Sequence, residues 1–190
     1  AALGALVAHF WRVEQQGLWG TVALLSAGLA AGLVFASAVV AARTGYVYDG
    51  IMLPALALAS LAALVRGVPG SPNAWQAAWH ALVPGLAGAG FILIPVVVSL
   101  GRGMGAGDVL PMATLSLLTG RVFAFVDLLM LASLAAIPFV FWKTIRLGYR
   151  NARRIPLVPF LFVGWILFLG VSMAGLPTLS ALFGQSLGRF

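Results

Sequence analysis

Long apolar runs, separated by short breaks that contain glycine, proline or arginine, dominate the pattern of this chain. A run of about 20 apolar residues is long enough to cross a bilayer as a helix. The runs predict helices over residues 20–42, 50–65, 78–100, 122–145 and 157–176, and a shorter apolar helix after Asp108 that ends near Gly120. The pattern therefore predicts an all-α polytopic membrane protein, in which about six transmembrane helices form one domain over residues 1–190.

The breaks and the N-terminal residues are predicted to lie outside the spans. Residues 66–75 are rich in glycine and proline, which predicts a loop. The apolar stub of residues 1–8 is too short to cross a membrane, and the polar residues 9–16 follow it. We therefore expect residues 1–19 to form an interfacial or truncated N-terminal segment.

The composition excludes a water-soluble domain. Hydrophobic residues make up 62% of the chain and charged residues 8%, whereas a soluble domain has roughly a quarter of its residues charged. The net charge of +7 does not indicate nucleic acid, because the basic residues are scattered between apolar runs and basic loops beside a membrane bind anionic lipid. The sequence has no cysteine, and His9 and His80 stand apart. We therefore expect no metal site and interpret both histidines as interfacial residues.

The basic residues in alternate loops predict the orientation of the helices, since cytoplasmic loops carry the excess of lysine and arginine. The side with the excess has Arg43, Arg102 and the basic segment 143–154, and the other side has Arg66, Arg121 and Arg189. The first side is therefore predicted to be cytoplasmic, and Asp49 and Asp108 are predicted to lie there.

Asp108 is the main candidate for a chemical role. The chain has only four acidic residues, and a charge at the edge of a hydrocarbon phase is costly unless it is paired or used. Gly105 and Gly107 precede it and let the backbone turn tightly or approach another segment. The alternative interpretation is an N-cap for the helix that begins beside Pro111.

Two further acids have structural alternatives. Asp49 precedes an apolar segment, which favours helix capping or a supporting role. Asp127 falls one to two turns into a predicted span, where a carboxyl needs a partner. The sequence favours neither of two interpretations of Asp127, a structural hydrogen bond or a functional role.

Three stretches together resemble the GxGD membrane aspartyl proteases, and in particular the type IV prepilin and preflagellin peptidases. Residues 41–49 (AARTGYVYD) resemble the family's Asp-x-Arg/Lys segment, which leads to Ile/Val-Pro-Asn/Asp. Residues 105–108 (GAGD) match the GxGD signature, and residues 154–160 (RIPLVPF) resemble the entry to the final helix. The resemblance implies a six-helix GxGD-protease-like bundle, two catalytic aspartates, and supporting roles for Gly105, Gly107, Asp49 and Arg43.

The resemblance places the catalytic pair at Asp108 and position 41, but this chain has Ala41 where the family has its first aspartate. A carboxyl pair hydrolyses an amide because one group is protonated while the other is ionised. The chain is therefore an inactivated variant, a natural non-catalytic relative, or one in which Asp49 takes over the role, and the intact surroundings favour inactivation. Leu110 also stands where many relatives carry a lysine. We expect Ala41 and Asp108 to face each other across a water-accessible cleft.

The resemblance also implies a substrate and a cellular site. Members of this family remove the short basic leader peptide from type IV pilin or archaellin precursors at the cytoplasmic face of the cell membrane. The chain lacks the cysteine-containing insert of the bacterial methylating members, which indicates the compact archaeal form and no cofactor. The expected partners are the leader peptide with the precursor's N-terminal helix, and membrane lipids, with Arg43 among the headgroup anchors.

A small transporter, or a pilus or secretion assembly subunit, is the alternative from another class. In that interpretation Asp108 and Asp127 are ion or proton sites, and the break at residues 101–108 is a binding turn in a broken helix. The sequence has no second half that repeats the first, which weighs against a transporter.

Overall fold

Six α-helices and one short 3₁₀ turn make up the described part of the chain, in a computed structural model that describes residues 17–67, 73–98, 106–147 and 156–175. The helices are α1 (Gly17–Thr44), α2 (Asp49–Gly67), α3 (Ala74–Val98), α4 (Val109–Thr119), α5 (Ala124–Leu147) and α6 (Val158–Met173). The 3₁₀ turn, Ala106–Asp108, leads directly into α4. No strand occurs within these ranges, so the prediction of an all-α protein is confirmed there.

Four of the helices, α1, α2, α3 and α5, are long and apolar enough to cross a membrane, and the chain is accordingly a membrane-embedded protein. The helices α4, with 11 residues, and α6, with 16, are shorter. At 1.5 Å per residue they span about 16 and 24 Å, less than the roughly 30 Å of a hydrocarbon core. Of the N-terminal segment predicted over residues 1–19, residues 1–16 lie outside the described residues. Residues 17–19 belong to α1, which begins at Gly17.

Small side chains make up most of the buried faces of α1 and α2, two helices that contact each other extensively. The buried hydrophobic residues of α1 recur every three or four positions and include Ala23, Ala27, Ala30, Val34, Ala38 and Ala41. Those of α2 have the same spacing and include Met52, Ala55, Ala59 and Ala62. This spacing places the buried residues on one face of each helix, and alanine lets two backbones approach closely. We call this contact the alanine seam.

The short helix α4 lies at the centre of the bundle. Its residues from Pro111 to Thr119 are all buried, and it contacts each of the other five described helices. A helix that faces lipid leaves one side open, whereas a helix buried on all sides lies inside a bundle. The longer helices therefore surround α4 and fix the position of Asp108 at its start.

Glycine at one position of α6 allows it to lie directly against α5. A Cβ built on Gly164 would lie 2.7 Å from the amide nitrogen of Ala132 and 2.9 Å from the carbonyl oxygen of Leu128. Both atoms belong to the backbone of α5 and cannot rotate away. The contact between the two helices therefore requires a residue without a side chain at position 164.

We expect Gly164→Ala to destabilise the bundle, because the added methyl group would push α5 and α6 apart, and overpacking of this kind costs about 1–3 kcal/mol. Gly170→Ala in the same helix is the matched control, since a Cβ there would have no neighbour within 4 Å. Thermal unfolding in detergent, followed by circular dichroism, compares the two variants. Equal melting temperatures would contradict the close contact at Gly164.

Candidate functional site

The helix α1 ends in a tight turn that holds position 41 in its last turn. Gly45 has a φ of +77°, a left-handed conformation that glycine adopts without steric cost. Its amide donates a hydrogen bond to the carbonyl of Ala41 (2.8 Å), and the hydroxyl of Thr44 donates to the carbonyl of Val40 (2.9 Å). These bonds satisfy carbonyls that the end of the helix would otherwise leave without donors.

The 3₁₀ turn that carries Asp108 lies against the connection between α1 and α2. A Cβ built on Gly107 would lie 3.2 Å from the Cβ of Val47, and Val47 packs against the buried core. The glycine directly before Asp108 therefore leaves room for the side chain of Val47 to pack against the turn. We refer to Ala41, Val47, Asp49, Gly107 and Asp108 as the Asp108 end of the bundle.

The side chain of Asp108 is nearly buried, with 9% of its surface exposed. Its backbone is helical, with φ −81° and ψ −13°, and its carboxylate makes no capping hydrogen bond to α4. Asp108 therefore occupies the N-cap position of α4, as the alternative interpretation predicted, but its side chain does not supply a capping hydrogen bond. The carboxylate stands beside the positive end of the α4 dipole, which favours a negative charge.

Ala41 has no exposed surface. It is the last member of the alanine seam on α1 and belongs to the same buried cluster as Met112 of α4. Val109, the residue after Asp108, packs against that cluster. Position 41 therefore points into the core, and the contact of Gly107 with Val47 places the Asp108 turn beside the segment that follows this end of α1. The expected water-accessible cleft is wrong for Ala41, because this side chain does not reach solvent.

Asp49 is the first residue of α2 and does not cap it. The carbonyl of Tyr48 accepts hydrogen bonds from the amides of Ile51 (3.0 Å) and Met52 (3.2 Å), so Tyr48 occupies the cap position. Asp49 is exposed and lies in the first turn of the helix, where a negative charge interacts favourably with the helix dipole. The capping role expected for Asp49 is therefore corrected to that of a first-turn charge.

Of the other predicted supporting residues, Arg43 is exposed in the last turn of α1. A positive charge there complements the negative end of the helix dipole, so Arg43 supports the turn that holds Ala41. Gly105, Arg102 and residues 148–154 of the basic segment lie outside the described residues.

Asp127 is separated from Asp108 by the whole of α4 and lies at the other end of that helix. It is buried, with 3% of its surface exposed, in the first turn of α5. The helix α4, which is about 16 Å long, runs from Asp108 toward the turn that precedes α5. The structure therefore does not bring the two acids together at one end of the bundle.

Arg66 has a role that the sequence analysis missed, since it was treated there only as a loop charge. It lies in the last turn of α2, and its guanidinium reaches back into the bundle. Its Nη2 donates to the carbonyl of Leu117 (3.0 Å), and its Nε donates to the carbonyl of Ala62 (3.1 Å). Leu117 belongs to the last turn of α4, so Arg66 places a positive charge at the negative end of that helix. The predicted span ended at residue 65, one position before Arg66, whereas the observed helix continues to Gly67 and so includes this arginine.

An apolar cavity of about 440 Å³ lies between α2 and α3 and runs along α4. Val109 and Leu110 line it beside Asp108, and Leu117 and Trp79 line it farther along the helix. The cavity therefore begins at the two residues that directly follow Asp108 in the chain and offers space for an apolar group in the first turns of α4.

No group of three or more His, Cys, Asp or Glu side chains that could hold a metal ion occurs among the described residues. Comparison of the chain with family models, with curated proteins and with solved structures found no match.

We expect the Cα atoms of Ala41 and Asp108 to lie within about 12 Å of each other, because two extended carboxyl side chains farther apart could not share a water. The chain has no cysteine, so Ala41→Cys with Asp108→Cys can be cross-linked by a short thiol-specific reagent without background. Ala41→Cys with Thr119→Cys is the matched control, because Thr119 is as buried as Asp108 (9%) but lies at the other end of α4. A cross-linking yield no higher than that of the control would exclude the pair.

Proposed function

We propose that this protein is a membrane aspartyl endopeptidase scaffold of the prepilin and preflagellin peptidase type, in a form that lacks one of the two catalytic carboxyls. The observation that carries the proposal is the Asp108 carboxylate. It is nearly buried, it does not cap α4, and its glycine turn packs against the segment that joins position 41 to Asp49. A carboxylate held in this way, without a capping task, is a candidate for chemistry.

The proposed chemistry needs two carboxyls. One deprotonates a water that attacks the scissile carbonyl, and the other protonates the leaving amine. Asp108 supplies one of them, and position 41, which points into the bundle at the same end, is proposed to supply the other in an active relative. Ala41 cannot exchange a proton, so we propose that the chain as it stands does not cut.

The proposed substrate is the precursor of a type IV pilin or archaellin, cut between its short basic leader and its apolar helix at the cytoplasmic face of the cell membrane. The apolar cavity beside Val109 and Leu110 supports this proposal, since it provides a surface for an apolar segment next to Asp108. Amide bonds in a helix are shielded by their hydrogen bonds, so the scissile segment must be extended at the carboxylate. In this proposal α4 and α6 are the two short members of a six-helix bundle of the compact archaeal form, which needs no cofactor.

A transporter or assembly subunit with ion sites at Asp108 and Asp127 is less well supported. The two acids lie at opposite ends of α4, whereas a single ion site would require them to be close.

We expect Ala41→Asp to give a peptidase, and Asp108→Asn in that background to reduce cutting at least about a hundredfold, because proton transfer by a positioned group contributes 10²–10⁴-fold. Asparagine keeps the shape of the side chain but does not take a proton. Incubation with a pilin precursor in liposomes, followed by a gel shift of the released product, measures the rate.

The control for this experiment is Asp127→Asn in the Ala41→Asp background, because Asp127 is also buried but lies at the other end of α4. This variant should keep its activity, and loss of activity would favour the ion-site alternative. Thermal unfolding of each variant separates loss of turnover from loss of fold, since Ala41 is fully buried and a larger side chain there requires its neighbours to move. Equal cutting by the unmodified chain and by Ala41→Asp would contradict the two-carboxyl proposal.

We expect Asp49→Asn in the Ala41→Asp background to cut at a nearly normal rate. Asp49 is exposed at the first turn of α2, where its charge is worth about 0.3–1 kcal/mol of stability. The same precursor assay measures the rate of cutting, and a thermal melt measures the stability of the variant. A large loss of cutting without a loss of stability would instead assign a catalytic carboxyl to Asp49.

A further inference from the structure

A second cavity, of about 280 Å³, lies at the end of the bundle opposite to Asp108. The last turn of α2, the first turns of α3 and the turn after α4 enclose it. Its walls carry small residues, Ala63, Ala77 and Ala81, together with Arg66, His80 and Gly120. The volume is close to the lower end of the roughly 300–1,000 Å³ that small-molecule sites occupy.

The charge of this cavity favours an anion. Arg66 presents a guanidinium and His80 an imidazole, and both side chains donate hydrogen bonds to oxygen. None of the three acidic residues that the structure describes lines the cavity. The guanidinium is planar and matches phosphate oxygens with two parallel N–H groups.

The backbone of the turn after α4 leaves the guanidinium accessible from the cavity. Gly120 has a φ of +68°, and a Cβ there would lie 3.4 Å from Nη1 of Arg66. The glycine therefore ends α4 in the left-handed conformation and places no side chain over the arginine. The bonds of Arg66 to the carbonyls of Leu117 and Ala62 fix the guanidinium at the wall of the cavity before any ligand arrives.

Two tryptophans indicate the depth of this cavity in the membrane. Trp75 and Trp79 lie one turn apart at the start of α3 and form an edge-to-face pair, with ring centroids 5.8 Å apart. Both rings are exposed, and exposed tryptophans concentrate at the level of the lipid headgroups. Ala77 and His80, which line the cavity, belong to the same turns of α3.

We propose that this cavity binds a phosphate-bearing anion, with Arg66 and His80 as its donors. The phosphate of an anionic phospholipid headgroup and free inorganic phosphate share this chemistry. Because Arg66 also donates a hydrogen bond to the last turn of α4, the ligand binds at the end of α4 that is opposite to Asp108. The proposal is independent of the peptidase function.

The test measures binding to the full chain by native mass spectrometry and by the shift of the melting temperature. The probes are phosphatidylglycerol, phosphatidylcholine as the lipid without net charge, and inorganic phosphate against chloride at equal ionic strength. We expect phosphatidylglycerol to bind and to raise the melting temperature more than phosphatidylcholine. A rise in melting temperature with inorganic phosphate alone would identify free phosphate as a sufficient ligand. The proposal would be overturned if inorganic phosphate gave no rise and phosphatidylglycerol gave none beyond that of phosphatidylcholine.

Two pairs of variants locate the site. Arg66→Gln should weaken binding about tenfold or more, since it removes a charge-assisted bond, whereas Arg121→Gln, an exposed arginine near the same end that does not line the cavity, should not. Ala77→Phe should block binding by filling the cavity while leaving the Arg66–Leu117 bond in place. Its matched control is Ala78→Phe, one position away and outside the lining.

The second pair keeps the proposal testable if Arg66→Gln fails to fold after losing its bond to α4. Undiminished binding in Ala77→Phe would contradict the site, because the ring would occupy the space of the ligand. Equal loss of binding in Ala77→Phe and Ala78→Phe would also contradict it, since the effect would then not come from the cavity.

Discussion

The burial of α4 is the constraint on which the rest of the bundle depends. A helix of 11 residues does not reach both faces of a bilayer, and lipid offers no hydrogen bonds to the polar groups at its ends. The protein supplies them at the C-terminal end, where the amide of Gly120 donates to the carbonyls of Ser116 and Leu117. The hydroxyl of Thr119 and the guanidinium of Arg66 donate to the same two carbonyls. The last turns of α2 and α4 must therefore stay together, and the longer helices pack around that pair.

The same helix has a negative side chain at its start and a positive one at its end. Asp108 lies beside the free amides of α4, and Arg66 lies on its last carbonyls. Each charge complements the helix dipole, so dipole stabilisation alone accounts for a charge at each position. The carboxylate of Asp108 makes no capping bond to α4, so the start of this helix stabilises it through the dipole and not through a side-chain cap.

The sequence predicted the helices well and their arrangement poorly. The apolar runs end at glycine, proline or charged residues, and the observed limits of α1 (Gly17–Thr44) and α2 (Asp49–Gly67) lie within three residues of the predicted 20–42 and 50–65. The helices are apolar on all sides, however, so periodicity does not reveal which face is buried. The inward course of Arg66, the full burial of Ala41 and the central place of α4 depend on contacts between helices that are distant in sequence. These three features can therefore be seen only in the three-dimensional structure.

The packing of α1 against α2 and the placement of Asp108 depend on different residues. Position 41 ends a row of small residues whose size sets the distance between α1 and α2, so an alanine there completes the packing. Asp108 is positioned by α4 and by the contact of Gly107 with Val47, and neither depends on a side chain at position 41. In the proposed function, the absence of a carboxyl at position 41 therefore leaves the scaffold and Asp108 in place, which agrees with the intact motifs on either side of Ala41.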